Sequence, residues 1–290
     1  MIFRQDVGNP EGPVLLTDGS WVITEMDRGL LSRISADGKD RREIVHTGRP
    51  NGLALDRAGN LWVAESRFPA LLKVSRDGEV SSVSKGAADL PFLWPNDLCF
   101  GPDGSFYMTD SGILLDTMEG CKTPSTAYDQ KIDGRVFRID PRNGECELID
   151  RGLRFANGLA FGPGAEWLCV GETLTGNIYR YEITAGRVSG KRQLFGNVMI
   201  KPSVDHGRVA GPDGMAFDAE GNLYVAVLTQ GDITVLEPGG SVSRRLEIDG
   251  TYPTNVAFAR QGERRLLVTE GSKNNLLLLD VPSDGLPLFS

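Results

Sequence analysis

A short segment of about sixteen residues recurs six times along this 290-residue chain. Each copy begins with a polar residue, followed in most copies by Gly or Asp, and continues into an apolar run, a Gly-containing turn and a second run rich in Val, Leu, Tyr or Trp. This pattern predicts one β-hairpin per copy. The copies start at Glu11, Asn51, Asn96, Asn157, Asp213 and Asn255.

The spacing of the copies predicts how the hairpins assemble. Successive copies start 40, 45, 61, 56 and 42 residues apart, close to the period of one four-stranded propeller blade. Further strand-like runs after each hairpin would supply the two outer strands. We therefore predict an all-β fold: one domain, residues 1–290, forming a six-bladed β-propeller around a central, metal-containing channel. A strand at residues 2–6 should close the ring beside the last blade, because closure removes exposed sheet edges.

Two stretches exceed the blade period, at residues 112–134 and 195–211. Both are predicted to be irregular excursions with little helix, and long loops of this kind are often lids or interfaces. The chain is accordingly expected to be a monomer or a homodimer, and the first excursion is a candidate dimer contact.

Composition excludes several partners. The net charge of −8 disfavours nucleic acid, which requires clustered Lys and Arg. No apolar run is long enough to span a membrane, and nothing at the N-terminus resembles a secretion signal. We expect a cytoplasmic protein that acts on a small molecule, with no nucleic-acid or membrane partner. The cysteines are interpreted as structural thiols, although a disulfide between Cys121 and Cys146 stays open.

The first residue of each copy carries the chemistry. Innermost strands line the channel of a propeller, so residues at one phase of the repeat converge around its axis. Any one of these Asn or Asp residues could simply be a turn residue. Together they form a cage of oxygen donors in which Glu11 and Asp213 supply two charges. Such a donor set favours Ca²⁺, Mg²⁺ or Mn²⁺, although carboxylates also bind Zn²⁺.

At these residues the sequence resembles the SMP-30/gluconolactonase/LRE-like family of calcium-dependent six-bladed propellers. The matching pieces are PEGPV from Pro10, WPNDLCFGPDGSFYMTD from Trp94, FANGLAFGPG from Phe155 and GPDGMAFDAEGNLYVA from Gly211. The resemblance implies that Glu11, Asn157 and Asp213 hold the metal, with Asn96 as a fourth ligand or a substrate contact. It implies Ca²⁺ as the preferred ion, with Mg²⁺, Mn²⁺, Zn²⁺ or Fe²⁺ as alternatives.

The resemblance also implies hydrolytic opening of a small lactone, with Asp213 as metal ligand and general base. A metal ion can stabilise the oxyanion and activate water without a catalytic triad. The sequence departs from the regucalcin-type pattern at Trp94, where those members carry a sugar-binding arginine.

The departure at Trp94 predicts a less hydroxylated substrate or one that stacks on an aromatic ring. We predict that Trp94 and Phe92 form an apolar wall, with polar contacts from Arg49, Asn51, Asn96 and Asn255. The alternative is that both aromatic residues pack between blades.

The sequence is also compatible with three other functions. The same cage could act on phosphotriesters, as in the related diisopropylfluorophosphatase. The propeller could instead be a non-catalytic scaffold with a structural metal, since fold does not fix function. A strictosidine-synthase-like activity is more remote, because no glutamate occurs in a matching context.

Overall fold

Six four-stranded antiparallel sheets are arranged in a ring in the computed structural model, which describes residues 1–121 and 124–290. Each innermost strand contacts the innermost strands of both neighbouring sheets, and the first contacts the last. The prediction of an all-β, six-bladed propeller with four-stranded blades is therefore confirmed.

The first three blades, from the innermost strand outward, have the following bounds. Blade 1 contains β2 (Pro10–Leu15), β3 (Trp21–Glu25), β4 (Leu30–Ile34) and β5 (Arg41–His46). Blade 2 contains β6 (Pro50–Leu55), β7 (Leu61–Glu65), β8 (Ala70–Val74) and β9 (Val80–Ser84), and a two-stranded hairpin of β10 (Gly86–Ala87) and β11 (Leu90–Pro91) follows it. Blade 3 contains β12 (Pro95–Phe100), β13 (Phe106–Asp110), β14 (Gly134–Ile139) and β15 (Cys146–Leu153).

The remaining blades complete the ring. Blade 4 contains β16 (Ala156–Phe161), β17 (Trp167–Glu172), β18 (Asn177–Thr184) and β19 (Arg187–Asn197). Blade 5 contains β20 (Gly211–Phe217), β21 (Leu223–Leu228), β22 (Asp232–Leu236) and β23 (Val242–Glu247). Blade 6 contains β24 (Pro253–Phe258), β25 (Arg265–Glu270), β26 (Asn275–Asp280) and, at its outer edge, β1 (Ile2–Arg4).

The pairing of β1 with β26 closes the ring, as predicted. The strand ends at Arg4 rather than Asp6, because Asp6 has a left-handed backbone with φ of 61°. Closure therefore joins β1 and β26 in one sheet and leaves β26 without an open edge.

The excursions lie on the face of the ring where the inner strands begin, called here the upper face. The first leaves β13 at Asp110, which pairs with Pro95 at the start of β12. It contains α1 (Leu115–Glu119) and α2 (Pro124–Tyr128), and residues 122–123 of the predicted stretch lie outside the described residues. The second begins only after Asn197, because residues 195–197, predicted to be irregular, belong to β19.

The two excursions contact each other above the ring. The second contains a 3-10 helix, Ser203–His206, and leads into β20; one further 3-10 helix lies at Pro163–Ala165. The Ala210 backbone N–H donates to the Tyr128 hydroxyl at 3.3 Å. Apolar side chains from both excursions share a cluster with Phe155 and Leu174.

Within the described residues, no helix combines the length and apolarity needed to cross a bilayer. The cysteines at 99, 121, 146 and 169 are all unpaired. The alternative of a Cys121–Cys146 disulfide is thus not seen.

Apolar side chains packed between adjacent blades form the core. Between blades 2 and 3, Phe106 is fully buried, and its ring lies 4.7 Å from that of Trp62 and 4.0 Å from that of Phe100. Radial sheets can pack only through such interfaces, so aromatic volume there fixes the spacing of the blades.

Replacing Phe106 with Ala should lower the free energy of unfolding by about 3–5 kcal/mol, because a large buried ring leaves a cavity. Urea unfolding followed by tryptophan fluorescence measures the change. Phe68→Ala is the matched control, since Phe68 is 68% exposed. Equal stability of the two variants would contradict this account of the core.

Candidate functional site

A β-bulge recurs at the upper end of the inner strand in every blade. The pairing of the innermost strand with its neighbour shifts register directly after the first residues of the strand. Bulges of this kind re-aim side chains and are common beside active sites. The residue after the paired Pro or Ala near the start of each inner strand is, in blade order, Glu11, Asn51, Asn96, Asn157, Asp213 and Thr254.

The sixth copy is therefore one residue out of the predicted phase. Pro253 pairs with Glu270 as Pro10 pairs with Glu25, so Thr254 is equivalent to Glu11. Asn255 instead occupies the second position, which is glycine in four other blades. The prediction that Asn255 shares the phase of Glu11 was wrong. The apolar runs that follow the two residues look alike, but strand pairing places Asn255 one residue later in its strand.

The second position also contains a residue that the sequence analysis missed, Asp97 of blade 3. Glycine occupies this position in blades 1, 2, 4 and 5, and a Cβ atom at Gly214 would lie 2.0 Å from Cγ of Asn255. Glycines in those blades thus leave room for the Asp97 and Asn255 side chains inside the ring. The signal was present in the sequence as Asp in place of Gly in the third copy.

Glu11, Asp97 and Asp213 form a cluster of buried carboxyl groups, each at most 8% exposed. Burial, together with the charge of Asp97, raises the pKa of Glu11 to about 8. Burial raises the pKa of Asp97 to about 7, although backbone N–H groups and Asn255 oppose this rise. Burial and the charges of Glu11 and Asp97 raise the pKa of Asp213 well above its ordinary value. The three groups therefore repel one another when ionised.

Asparagine side chains lie between these carboxyl groups. Asn255 Nδ2 donates to Glu11 Oε2 at 2.8 Å. Asn157 Nδ2 donates to Thr173 Oγ1 at 3.0 Å, and the Asn157 side chain also hydrogen-bonds Asp213. Asn157 Oδ1 is buried and has no hydrogen-bond partner among the described residues. An amide oxygen without a partner beside the Asp213 carboxyl group is a suitable ligand for a hard cation.

The other two predicted cage members are also buried. Asn96 Nδ2 donates to Ser111 Oγ at 3.0 Å. The side-chain amide oxygen of Asn96 can therefore ligate a cation or accept a hydrogen bond from a substrate. Asn51 is 4% exposed, and its backbone carbonyl accepts a hydrogen bond from Thr24 Oγ1. Together, Glu11, Asn96, Asn157 and Asp213 give two carboxylates and two amide oxygens, which fits Ca²⁺, Mg²⁺ or Mn²⁺.

This donor set differs from a Cys- or His-based centre. Across residues 1–121 and 124–290, no group of three or more His, Cys, Asp and Glu side chains forms a recognisable metal cluster. Asn side-chain oxygens instead supply two of the four proposed donors in the channel. The chemistry of the donors therefore fits a hard cation better than zinc.

Hydroxyl groups of one blade hold the inner strand of the next. Thr109 Oγ1 donates to the Asn157 carbonyl oxygen at 2.6 Å, and Thr173 Oγ1 donates to the Pro212 carbonyl oxygen at 2.8 Å. Thr254 Oγ1 donates in the same way to the Pro10 carbonyl oxygen at 2.6 Å. These bonds fix the height at which the channel residues of adjacent blades face one another.

Buried acids at the ends of second strands hold the loops that enter the inner strands. Asp110 Oδ2 accepts from the backbone N–H groups of Leu93 and Trp94 at 2.6 and 3.2 Å. Glu65 Oε1 accepts from the backbone N–H of Arg49 at 2.7 Å. The predicted contact residues Arg49 and Trp94 are thus placed by equivalent acids in two adjacent blades.

The predicted apolar wall divides into two different environments. Phe92 is 4% exposed and packs 5.1 Å from the Phe137 ring, inside the interface between blades 2 and 3. Its role as a substrate contact is not supported, because it fills the core. Trp94 lies against Phe155 at 5.2 Å, and its buried Nε1 has no partner in the described part of the chain.

Arg49 lies at the upper face and is half-buried. Its Nη1 lies 3.3 Å from Glu119 Oε1 of α1 and 3.7 Å from Asp27 Oδ1. The guanidinium therefore ties the first excursion to blades 1 and 2. A substrate would have to compete with two carboxylates for this cation.

Comparison with known proteins agrees with the fold. Residues 9–272 match the sequence model of the protein family described as the SMP-30/Gluconolactonase/LRE-like region. The chain belongs to this family. A gluconolactonase of Zymomonas mobilis is 27% identical over 280 residues, covering 90% of this chain and 76% of that protein. The diisopropyl-fluorophosphatase of Loligo vulgaris is 26% identical over 296 residues, covering 93% and 88%.

A solved structure extends the likeness in fold. Regucalcin from Agrobacterium tumefaciens, described as a calcium-binding protein, matches with a TM-score of 0.76 at 17% identity, covering 98% of this chain and 96% of that one. At this identity the match shows the propeller architecture alone.

In chelator-treated protein, the free energy of unfolding should fall as the pH rises from about 5 to about 8. The folded pKa values of Glu11 and Asp97 lie above their ordinary values, so the folded state holds protons that the unfolded state has released. The stabilising contribution is complete at low pH and is lost as the pH passes the folded pKa values. Urea unfolding at a series of pH values measures this slope.

Asp97→Asn should flatten the slope, because it removes one titrating group and one repulsion from Glu11. Asp77→Asn, at an exposed turn, should leave the slope as in the wild type. A wild-type stability that is constant or rising over this range would contradict the assigned directions.

Proposed function

We propose that this protein is a metal-dependent lactonase that opens a small sugar-type lactone by hydrolysis. The observation that carries the proposal is the buried, unpartnered Asn157 Oδ1 beside Asp213 in a channel of repelling carboxyl groups. Membership of a family whose similar members include a gluconolactonase supports the substrate class.

We assign Glu11, Asn157 and Asp213 as metal ligands, with Asn96 as the fourth ligand or a substrate contact. Ca²⁺ is the preferred ion, because the donors are all oxygens and a solved structure of the same fold is a calcium-binding protein. When bound, such an ion polarises a carbonyl oxygen, lowers the pKa of water and stabilises an oxyanion.

Asp213 is proposed as the general base as well as a ligand. Its carboxylate would take a proton from the water that attacks the lactone carbonyl carbon. Cleavage of the ring C–O bond then releases an alkoxide, to which the proton returns, so lactone and water give one hydroxy acid. The Asn157 side chain hydrogen-bonds Asp213 and holds this carboxylate in place.

The substrate is expected to enter from the upper face. There Trp94 offers an aromatic edge and a buried Nε1 donor that lacks a partner among the described residues. Asn51 and Arg49 would supply polar contacts from the neighbouring blade. These features favour a lactone with fewer hydroxyl groups than an aldonolactone, recognised in part by one hydrogen bond from the indole.

A second candidate is phosphotriester hydrolysis at the same site. The apolar Trp94 and the 26% identity to a diisopropyl-fluorophosphatase favour it. The two activities separate on turnover of a lactone panel and an aryl phosphotriester by one preparation. A metal-bound protein that is inactive on both would support a scaffold.

Asp213→Asn should lower lactonase kcat/KM by about 100-fold or more, because it removes a ligand charge and the proposed base. Folding should persist, since the substitution relieves repulsion with Glu11. Acid release in weak buffer measures activity, and circular dichroism checks the fold. Asp77→Asn is the control; an Asp213→Asn enzyme with unchanged turnover would overturn this assignment.

Trp94→Arg should shift the ratio of kcat/KM values toward polyhydroxylated lactones, because a guanidinium donates to several hydroxyls. Trp94→Phe keeps the contact with Phe155 but removes the Nε1 donor, and it should weaken binding without reversing the preference. Unchanged selectivity in Trp94→Arg would exclude Trp94 from the substrate site.

A further inference from the structure

A separate cavity of about 740 Å³ occupies the channel below the carboxyl cluster. Its wall is built by the later residues of the inner strands, beyond the bulges. Representative lining residues are Leu53, Leu98, Leu159, Met215 and Val256. Glu11, Asn96, Asn157 and Asp213 are not among the lining residues described, so this lower chamber is distinct from the proposed metal site.

Most lining residues of the lower chamber are apolar; the polar ones include Gln261 and Ser290 besides a pair at its upper end. Among its described lining residues, Asp97 is the one charged group, and Asn255 lies beside it. Both occupy the second position of the repeated motif, and Asp97 belongs to the carboxyl cluster itself. A cavity of this size, lined by apolar groups with a few converging polar groups, is the usual form of a small-molecule site.

Water is a poor occupant for such a wall. Ordered water needs two to four polar partners, and apolar cavities in proteins take up apolar molecules instead. Small residues such as Ala160, Ala216 and Ala257 line the lower chamber and are only partly buried. Their short side chains leave the space that larger residues would fill.

The last segment of this sequence, residues 285–290, borders the mouth of the lower chamber. It is anchored where the Leu286 backbone N–H donates to the Phe217 carbonyl oxygen at 3.0 Å. Farther on, the Phe289 ring packs 5.7 Å from that of Phe161, and Ser290 Oγ accepts from Arg57 Nε at 3.2 Å. The segment therefore runs from blade 5 past blade 4 to blade 2, across the lower face.

The hydrogen bonds at the upper end define what an occupant must offer. Asn255 Oδ1 accepts from Val256 N, and its Nδ2 donates to Glu11 and to Asp97. Its donors and acceptor are thus engaged. Asp97 accepts from the backbone N–H groups of Leu98 and Leu159 and from Asn255, yet a carboxyl group has room for about four acceptor bonds. An occupant gains most by donating one hydrogen bond to Asp97.

We propose that the lower chamber is a second binding site, for a compact, neutral, apolar molecule that carries one hydroxyl group. The hydroxyl donates to Asp97, and the apolar body lies against the inner-strand side chains. Residues 285–290 cover the bound molecule. This site does not depend on the lactonase assignment, because its entrance lies on the opposite face and none of the proposed metal ligands lines it.

Isothermal titration calorimetry of the full chain with 1-heptanol tests the proposal. We expect saturable binding at about one molecule per chain, with heptane-1,7-diol at least about tenfold weaker because its second hydroxyl is buried without a partner. Ala216→Phe should weaken heptanol binding by at least about tenfold by filling the lower chamber. Ala58→Phe, at an exposed turn outside the chamber, should bind like the wild type.

Circular dichroism and urea unfolding establish that each variant is folded. Ala160→Phe replaces Ala216→Phe if the latter does not fold, since it fills the same space from blade 4. Absence of saturable heptanol binding by the folded wild type overturns the proposal. So does equal heptanol affinity in wild type and in the folded filling variant.

Discussion

Repulsion among buried carboxyl groups is the interaction on which the centre of this propeller depends. Glu11, Asp97 and Asp213 come from blades 1, 3 and 5 and raise one another's cost of ionisation. Such a cluster is stable only if the groups hold protons or face a cation. The rigid ring of blades keeps them together despite the repulsion, because each inner strand is fixed from both sides. The proposed activity depends on this repulsion, because it favours the binding of a cation among the carboxyl groups.

Repetition explains how one short motif builds a non-repetitive site. Every blade has the same bulge at the start of its inner strand, and hydroxyls such as Thr109 and Thr173 tie one blade to the next. These shared features set the height of the channel residues. Differences at two positions of the motif then supply the chemistry. Glycine at the second position of most blades makes room for Asp97 and Asn255, which divide the channel into an upper polar site and a lower apolar chamber.

The sequence predicted the number of blades, the closing strand and the ring of polar residues, because hairpin patterning is a local property. It did not predict the exact phase of the sixth copy, where Asn255 and Thr254 differ by one residue. That difference depends on pairing with β25 rather than on composition. Asp97 was not predicted as a site residue, because its hydrogen-bond partners come from three different blades. Phe92 was predicted to line the substrate site, but it packs against Phe137 between two blades. Local sequence patterns do not predict such contacts between blades.

The most direct test of this account measures proton release on cation binding. Titrating chelator-treated protein with Ca²⁺ at about pH 6.5, in two buffers of different ionisation enthalpy, gives the number of protons released by linkage. The account predicts one bound cation per chain and release of about one proton or more, because the proposed ligands Glu11 and Asp213 must ionise around it. Asp213→Asn should weaken binding and lower the release. Binding without proton release, or no binding in the folded protein, would contradict the central claim.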